Sequence, residues 1–336
     1  MSTSVKCGTR LSTYGDQFRI FFENEIRFED GNIYIVIGPN GIGKSTLAKV
    51  LSNFIEYTRL SGDPPPDSFL LHPQEILLLP GSLEENISVF ISKEEIERKL
   101  LELIDEPEVV NKIVSYFESL WPRQVSNLSG GEKQISLLLR TILVYAKESA
   151  NTWSGIILDE PSKQLSPPLI RFLLKILTKI EIYDPLLLIS HDFRFIELFM
   201  QEFFQKGKNI HFIEFYEDFP TAELNSQSNS KVERCVKYIG MINATSLHDN
   251  WNALLDRSDY LKDLFGCTNN DNKQSAFQIP NILEKEFSVV SARPTYGGIF
   301  RIELDDKDRS FFGYSTKPFP SKTTVLGSEL VCIYEN

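Results

Sequence analysis

The segment GPNGIGKST, residues Gly38–Thr46, combines the residue types that bind phosphate. It fits the spacing G-x-x-x-x-G-K-[ST], with Gly38, Gly43, Lys44 and Ser45 at the four fixed positions. Glycines let the backbone turn tightly, so that consecutive N–H groups face one anion. A lysine at this position reaches the β- and γ-phosphates, and the serine supplies an oxygen to Mg²⁺. The segment therefore predicts a site for a nucleoside triphosphate.

The sequence on either side of this segment supplies the context that such a loop requires. The apolar run IYIVI precedes it and is typical of a buried strand, whereas LAKVLSNFI follows it and indicates a helix. The positive N-terminal end of that helix adds to the attraction for an anion. The residues of the loop predicted to contact the nucleotide are Gly38, Pro39, Asn40, Gly41, Gly43, Lys44, Ser45 and Thr46.

A second chemical motif is IILDEP, residues Ile156–Pro161, an apolar strand that ends in two carboxylates. Asp159 at the strand end can hold Mg²⁺, directly or through water. Glu160 lies one residue further, where it could polarise a water for attack on the γ-phosphorus. On its own the motif also fits a strand followed by a solvated acidic turn. Together with the phosphate-binding segment, the motif predicts that Asp159 and Glu160 take part in hydrolysis of the bound triphosphate.

The third motif is LSGGEKQ, in which a serine and two glycines precede a predicted helix. Ser129 is a candidate N-cap for that helix. The segment also fits a second anion site, formed by Ser129, Gly130 and Gly131 at the helix N-terminus. With this motif the sequence resembles the ATP-binding-cassette family, whose signature is LSGGQ, with Glu132 in the fifth position. The resemblance covers roughly the first 215 residues.

The resemblance extends to three single residues. Gln74 in LLHPQEILLLPGSLEENI is similar to the Q-loop glutamine, and His191 in LLLISHD is similar to the switch histidine. Tyr14 resembles the aromatic residue that stacks on adenine, with Phe18 as the alternative. The resemblance implies that Lys44, Gln74, Glu160 and His191 are catalytic, with Glu160 as general base. It further implies that Ser45, Gln74 and Asp159 surround Mg²⁺.

The resemblance also implies how the chain assembles. In the family two cassettes meet head to tail, and each ATP lies between one phosphate loop and the signature of the other cassette. The expected partners are therefore a second cassette, identical or different, and a membrane-spanning transporter subunit on another chain. One departure concerns the loop after the two carboxylates, where Ser166 stands in place of the family's aspartate. This change is compatible with slower ATP hydrolysis or with a specialised or asymmetric dimer.

The order of the predicted elements gives the fold class. Strands and helices alternate through the motifs, which predicts an α/β phosphate-loop fold with a mixed sheet, an antiparallel β subdomain and a helical subdomain. We expect an ATP-binding domain over residues 1–216, with its helical subdomain at about 82–147, and a linker at 217–231. A smaller α+β domain of unknown role follows at 232–336. In it, residues 232–266 look helical and 287–334 look rich in strands.

The amino-acid composition limits the kinds of partner and compartment that we expect for this chain. The net charge is −11 and no Lys/Arg cluster stands out, so no nucleic acid is expected as a partner. The four cysteines, Cys7, Cys235, Cys267 and Cys332, match no metal spacing and favour free thiols in a reducing compartment. No apolar run approaches the length of a membrane span. We expect a cytoplasmic chain that is peripheral to the membrane.

Two functions remain in view at this point. The first is the ATPase subunit of a transporter, with export favoured because LLLPGSLEENI resembles the segment after the Q-loop in exporter cassettes. The second is a soluble cassette ATPase that acts on a macromolecule, in translation, DNA repair or phage defence. A single cassette without a long coiled-coil insertion favours transport. A third idea, a protein that binds ATP without turnover, conflicts with the presence of Glu160 and His191.

Overall fold

The computed structural model divides the chain into two compact units, Met1–Asn243 and Ala244–Asn336. It describes residues 3–14, 18–66, 68–76, 78–88, 92–104, 106–147, 152–179, 184–217, 233–243, 253–254, 256–258, 260–261, 286–294, 300–306, 309–315, 320–326 and 332–335. The predicted linker at 217–231 lies outside these residues apart from its first position.

The first unit is built on a nine-stranded sheet in the order β6-β2-β3-β11-β10-β5-β9-β8-β7. A separate two-stranded sheet pairs β1 with β4. The strands are β1 (Thr3–Val5), β2 (Arg10–Thr13), β3 (Phe18–Phe22), β4 (Ile26–Phe28), β5 (Ile33–Ile37), β6 (Tyr57–Ser61), β7 (Phe69–His72), β8 (Gly155–Asp159), β9 (Leu186–Ile189), β10 (Ile210–Glu217) and β11 (Glu233–Ile242).

The centre of the large sheet is parallel and wholly buried. Every residue of β5, β8 and β9 is buried, as expected for strands covered on both faces by helices. Parallel pairing aligns β5 with β9, β9 with β8 and β8 with β7. The carboxyl ends of these strands therefore lie at one edge of the sheet, from which the chemically active segments emerge.

Seven helices are described in the first unit. The helical periodicity predicted over residues 92–120 is divided between α3 and α4, because Pro107 begins the second helix at a position where a missing N–H costs nothing. The helices are α1 (Lys44–Leu51), α2 (Leu83–Ser88), α3 (Lys93–Leu103), α4 (Pro107–Glu118), α5 (Gly130–Lys147), α6 (Pro167–Lys179) and α7 (Phe193–Gln205).

The predicted helix over residues 232–266 is wrong where it overlaps β11. This strand pairs antiparallel with β10 and parallel with β3, so the first unit extends to Asn243 and not to residue 216. Its buried positions include Cys235, Val236, Ile239 and Gly240, a spacing that imitates a helix. A register shift between Phe212 and Ile213 of β10 marks a bulge at Ile239, which interrupts the alternation at that point of β11.

The second unit contains a five-stranded antiparallel sheet in the order β15-β12-β13-β14-β16. Its strands confirm the strand-rich prediction for residues 287–334, and short helical turns lie within residues 253–261. The strands are β12 (Glu286–Pro294), β13 (Phe300–Asp306), β14 (Arg309–Ser315), β15 (Thr324–Leu326) and β16 (Cys332–Glu335). Across the described parts of both units, no helix has the length and apolar character to cross a bilayer.

Candidate nucleotide-binding site

The phosphate loop follows β5 and ends at the first residue of α1. Gly38 has a φ of 141°, and a Cβ there would lie 2.6 Å from the backbone oxygen of Phe215. Gly43 is the N-cap of α1 with a left-handed φ of 117°, and no side chain caps this helix end. The first N–H groups of α1 therefore remain available to an anion. Glycine is required at both positions because a side chain would be strained or would clash.

Lys44 is buried and folds back over the loop that precedes it. Its Nζ donates to the backbone oxygens of Gly38 at 2.6 Å and Pro39 at 2.9 Å. Desolvation lowers the pKa of this ammonium, whereas the charges of Glu160 and Asp159 raise it. A cation held by two neutral carbonyls has spare donor capacity, and a phosphate oxygen is a stronger acceptor for it.

Asp159 ends β8 and faces the start of α1. The Ser45 hydroxyl hydrogen-bonds to its carboxylate, while burial raises the pKa of Asp159 to about 6. Its Oδ1 atom is buried without a hydrogen-bond partner among the described residues. An orphaned carboxylate oxygen next to a serine hydroxyl is a donor set that suits Mg²⁺. The residues present therefore fit a divalent cation at this point.

Glu160 forms a closely bonded pair with His191 across the ends of β8 and β9. Its Oε1 accepts from His191 Nδ1 at 2.6 Å and from the His191 backbone N–H at 3.0 Å. Its Oε2 accepts from the Ser190 hydroxyl at 3.3 Å. The carboxylate is 7% exposed and the imidazole 49% exposed. Because Nδ1 donates to Glu160, Nε2 is the ring nitrogen left for another group.

The backbone holds both residues of this pair in place. Glu160 has a left-handed φ of 51°, which is uncommon for a side chain of its size. Its N–H donates to the oxygen of Ile189 at 2.9 Å. On the other side, Asp192 caps α7 by accepting from the N–H groups of Arg194 and Phe195. A strained backbone conformation kept by several hydrogen bonds is typical of a functional position.

The signature segment is held by its own side chains. Ser129 Oγ accepts from the N–H of Glu132 at 3.2 Å, and the Glu132 carboxylate accepts from the N–H of Ser129 at 2.7 Å. This reciprocal pair of hydrogen bonds confirms Ser129 as the N-cap of α5, directly before its first residue. Arg123 donates to Glu132 at 2.8 Å and to the backbone oxygen of Asn127 at 2.8 Å. The carboxylate in this motif is therefore charge-paired.

The two signature glycines pack against the loop after Glu160. A Cβ on Gly130 would collide with the side-chain oxygen of Gln164, and one on Gly131 would lie 2.9 Å from Leu169. Gln164 itself has a left-handed φ of 66°. A side chain at either glycine would therefore have to displace the end of Gln164 or Leu169.

The family follows from comparison with known proteins. A family profile described as ABC transporter matches residues 23–163. The zinc import ATP-binding protein ZnuC of Wigglesworthia glossinidia brevipalpis is 30% identical over 190 residues, covering 52% of this chain and 71% of that protein. This chain belongs to the ATP-binding-cassette family of ATPases.

Two further matches have lower sequence identity. The energy-coupling factor transporter ATP-binding protein EcfA1 of Thermotoga maritima is 28% identical to the cassette over 179 residues, covering 51% of this chain and 66% of that protein. The match thus spans just under two thirds of that relative. A solved ATP-binding subunit of an ABC transporter is 18% identical with a TM-score of 0.49, covering 79% of this chain and 98% of that one.

The two residues predicted as alternatives for the adenine contact differ in their surroundings. Tyr14 follows β2, is exposed and has a left-handed φ of 54°. Phe18, the alternative, packs its ring directly against Gly43. The assignment of Tyr14 as the stacking residue stays a prediction, whereas Phe18 contacts the loop itself.

The cassette brings some predicted site residues together within one chain and not others. Lys44, Ser45, Asp159, Glu160 and His191 meet at the carboxyl edge of the parallel strands. Gln74 leaves the same edge two residues after β7, which pairs with β8. The signature is different, since no hydrogen bond among the described residues joins its serine or glycines to the phosphate loop.

Sequence reasoning missed the side chains that support this site. Ser190, Arg123 and Gln164 each contact a predicted residue, yet none was singled out. Ser190 could have been found because it directly precedes His191. The pairing of Ser129 with Glu132 could have been found from the S-x-x-E spacing of a capping box. Arg123 and Gln164 carried no comparable pattern, because their contacts depend on the fold.

Proposed function

We propose that this cassette is the ATP-hydrolysing subunit of a transporter and drives a membrane-spanning subunit on a separate chain. The observation that carries the proposal is the Glu160–His191 pair beside Ser45 and Asp159 in a member of this family. A protein that only bound ATP would have no need for a buried carboxylate bonded to a half-exposed histidine at this position.

Binding of ATP would exchange internal contacts for contacts with phosphate. Lys44 would release the oxygens of Gly38 and Pro39 and donate to the β- and γ-phosphates. The uncapped start of α1 would supply N–H groups to the same oxygens. Neither change needs a new backbone conformation, so the loop is already organised for its ligand.

Magnesium would be held by Ser45 and Asp159, with Gln74 as a further oxygen donor. Its charge would neutralise the phosphate oxygens during transfer. Because Asp159 has a raised pKa of about 6, its carboxylate is ionised at neutral pH, which leaves a buried negative charge for a cation to compensate.

Hydrolysis would be carried out by Glu160 as general base on a water. The three hydrogen bonds that its carboxylate accepts fix its orientation. His191 would keep Nδ1 on Glu160 and present Nε2 to the γ-phosphate. His191 would thereby contact the γ-phosphate and orient the Glu160 carboxylate at the same time.

A second cassette would complete the site. Ser129, Gly130 and Gly131 lie at an N-terminal helix end that reaches no phosphate loop of its own chain through a described hydrogen bond. Each signature would therefore bind the ATP held by another cassette, identical or different. ATP would then stabilise the closed dimer by mass action, and loss of phosphate would open it.

The direction of transport depends on a smaller observation. The sequence from Leu77 to Ile87, LLLPGSLEENI, resembles the segment after the Q-loop in exporter cassettes, so export is the direction proposed. Zinc import is the function in the name of one relative. Vesicles containing the assembled complex would decide, because export and import move substrate in opposite directions relative to the ATP-binding face.

The experiment that tests the proposal is a capture from the native host. A tagged Glu160→Gln chain is expressed there, membranes are solubilised gently with Mg·ATP, and the companions are identified. The same preparation without ATP is the matched control, since only ATP should hold the complex closed. We expect a polytopic membrane protein as the main companion.

The opposite result has a clear meaning. Ribosomes, DNA-binding proteins or no companion at all, from a sample in which ATP is bound, would contradict the transporter function. The first two outcomes would move the cassette to the class of soluble ATPases that act on macromolecules.

A further inference from the structure

A buried histidine lies outside the set of residues used above. His72 ends β7, is fully buried and stands two residues before Gln74. Its Nε2 lies 3.1 Å from Nε2 of Gln134, and its Nδ1 lies 3.4 Å from Oγ1 of Thr141. Gln134 and Thr141 are seven residues apart on α5, two turns along the same face. His72 therefore connects the Q-loop strand to the signature helix.

Hydrogen-bond chemistry fixes how the imidazole is protonated. The amide nitrogen of Gln134 can only donate, so His72 Nε2 must accept and Nδ1 must carry the proton. Thr141 Oγ1 accepts a hydrogen bond from this Nδ1–H, and its own hydroxyl donates a hydrogen bond to the backbone oxygen of Leu137 at 3.0 Å. Desolvation lowers the pKa of His72 to about 3, which keeps the ring neutral. The arrangement satisfies every nitrogen of the ring.

The same amide nitrogen of Gln134 reaches the catalytic turn. It lies 3.5 Å from the backbone oxygen of Glu160, so one of its hydrogens serves His72 and the other serves Glu160. Glu160 is the residue with a strained backbone, and its carbonyl also accepts from the N–H of Lys163. Gln134 thus holds the peptide that follows the proposed base.

These contacts join three segments through one buried amide. We propose that His72 and Gln134 are positioning residues that fix the Glu160 turn relative to α5, so that movement of the signature end of α5 is transmitted to the catalytic base. The inference rests on the proposed role of Glu160 in hydrolysis. Gln134 would act directly on the backbone oxygen of Glu160, and His72 would act through Gln134.

The test uses four variants and three measurements on each. His72→Leu removes the acceptor while keeping an apolar side chain in the core. His72→Gln retains an acceptor near the position of Nε2. Gln134→Leu and the pair His72→Leu/Gln134→Leu complete a double-mutant cycle. The measurements are kcat, the dissociation constant for ATP and the thermal midpoint, with Glu160→Gln assayed beside them.

We expect His72→Leu to lower kcat roughly tenfold, because a small displacement of a catalytic group costs that much or more. The dissociation constant for ATP should change by less than about threefold, since the phosphate loop is untouched. His72→Gln should recover most of kcat. The double variant should recover thermal stability, because no polar group is left unpaired, but should not recover kcat.

Two results would overturn the inference. One is a normal kcat in His72→Leu. The other is a double variant whose kcat recovers together with its stability, which would make the contact a matter of packing alone. Glu160→Gln separates this inference from the proposed function. If that variant keeps normal turnover, the role of Glu160 fails whatever the His72 variants do.

Discussion

The phosphate loop and the signature segment, both predicted to bind anions, differ in how their polar groups are satisfied. At the phosphate loop, Lys44 is held by backbone oxygens and Asp159 keeps a buried oxygen without a described partner. At the signature, Ser129, Glu132 and Arg123 satisfy one another. The first region is therefore built to exchange contacts with a ligand. The second is a helix end whose described side chains are satisfied internally, and in the proposed function it would offer backbone N–H groups to another cassette.

The largest expected effect separates chemistry from binding within the first region. Glu160→Gln should lower turnover by about 10²–10⁴-fold, because general-base catalysis is worth that much. Binding of ATP should persist, since the glutamine oxygen can still accept from His191. Steady-state turnover and equilibrium dialysis of ATP measure the two quantities.

Ser190→Ala is the matched control for that prediction. It removes the longest of the three hydrogen bonds to Glu160, at 3.3 Å, and should lower turnover far less. Near-normal turnover in Glu160→Gln would remove Glu160 from the role of base.

The second prediction tests whether Lys44 binds the phosphates of ATP. Lys44→Ala should weaken ATP binding by roughly 100-fold, because it deletes a buried charge-assisted donor. Lys163→Ala, which removes an exposed lysine near the site, should bind ATP normally. Equal affinities for the two variants would show that the internal contacts of Lys44 are structural only.

A third prediction uses the buried charge of Asp159. Its folded pKa of about 6 lies above the ordinary aspartate value, so the folded state loses stability relative to the unfolded state as the pH rises from about 4 to about 6. Without Mg²⁺ or nucleotide, Asp159→Asn should raise the free energy of unfolding by about 3 kcal/mol at pH 8, because each pKa unit corresponds to about 1.4 kcal/mol.

The pH dependence is the control for that prediction. The advantage of Asp159→Asn should shrink as the pH falls below 6 and vanish below about pH 4, where both states of the wild type are protonated. Urea unfolding at pH 8 and pH 5 measures it. The same difference at both pH values would contradict a raised pKa.

A smaller effect tests the second region. Arg123→Ala should raise the ATP concentration for half-maximal turnover roughly tenfold, because it leaves the charge of Glu132 without Arg123 where a phosphate held by another cassette would bind. Adding Glu132→Gln should reverse the loss, since no charge then remains to repel phosphate. A double variant as poor as Arg123→Ala would assign Arg123 a structural role through Asn127.

The smallest effect sharpens the assignment of the adenine contact. Tyr14→Ala should weaken ATP binding about fivefold and leave tripolyphosphate binding unchanged, because an aromatic stack on a base is worth about 1 kcal/mol or more. Phe18→Ala is the matched variant. If Phe18→Ala alone shows this selectivity for ATP, the assignment moves from Tyr14 to Phe18.

Much of the fold could be predicted because its motifs combine local signals. The buried strands before Gly38 and Asp159 were visible as short apolar runs, and the helices after them began at recognisable residues. The strand β11 was not visible in this way, because its buried residues come in adjacent pairs with a spacing that imitates a helix. The predicted boundary at residue 216 followed the polar segment before this strand, whereas the first compact unit extends to Asn243.

The candidate site divides in a similar way. Phosphate-loop and carboxylate residues could be predicted because their types and spacing suit one chemistry. The support from Arg123, Gln134 and His72 could not, because each contact joins segments far apart in the sequence. His72 would have passed for an ordinary residue at the end of a strand, since only the fold places two polar side chains of α5 beside it.

The central claim is that the signature of one cassette binds the ATP held by another. Native mass spectrometry of the captured Glu160→Gln complex with Mg·ATP tests it most directly, by counting cassettes and nucleotides in each particle. The account predicts two cassettes with two ATP molecules, and single cassettes that each keep one ATP when Ser129→Arg is added. Single cassettes carrying ATP without the Ser129 change would contradict it.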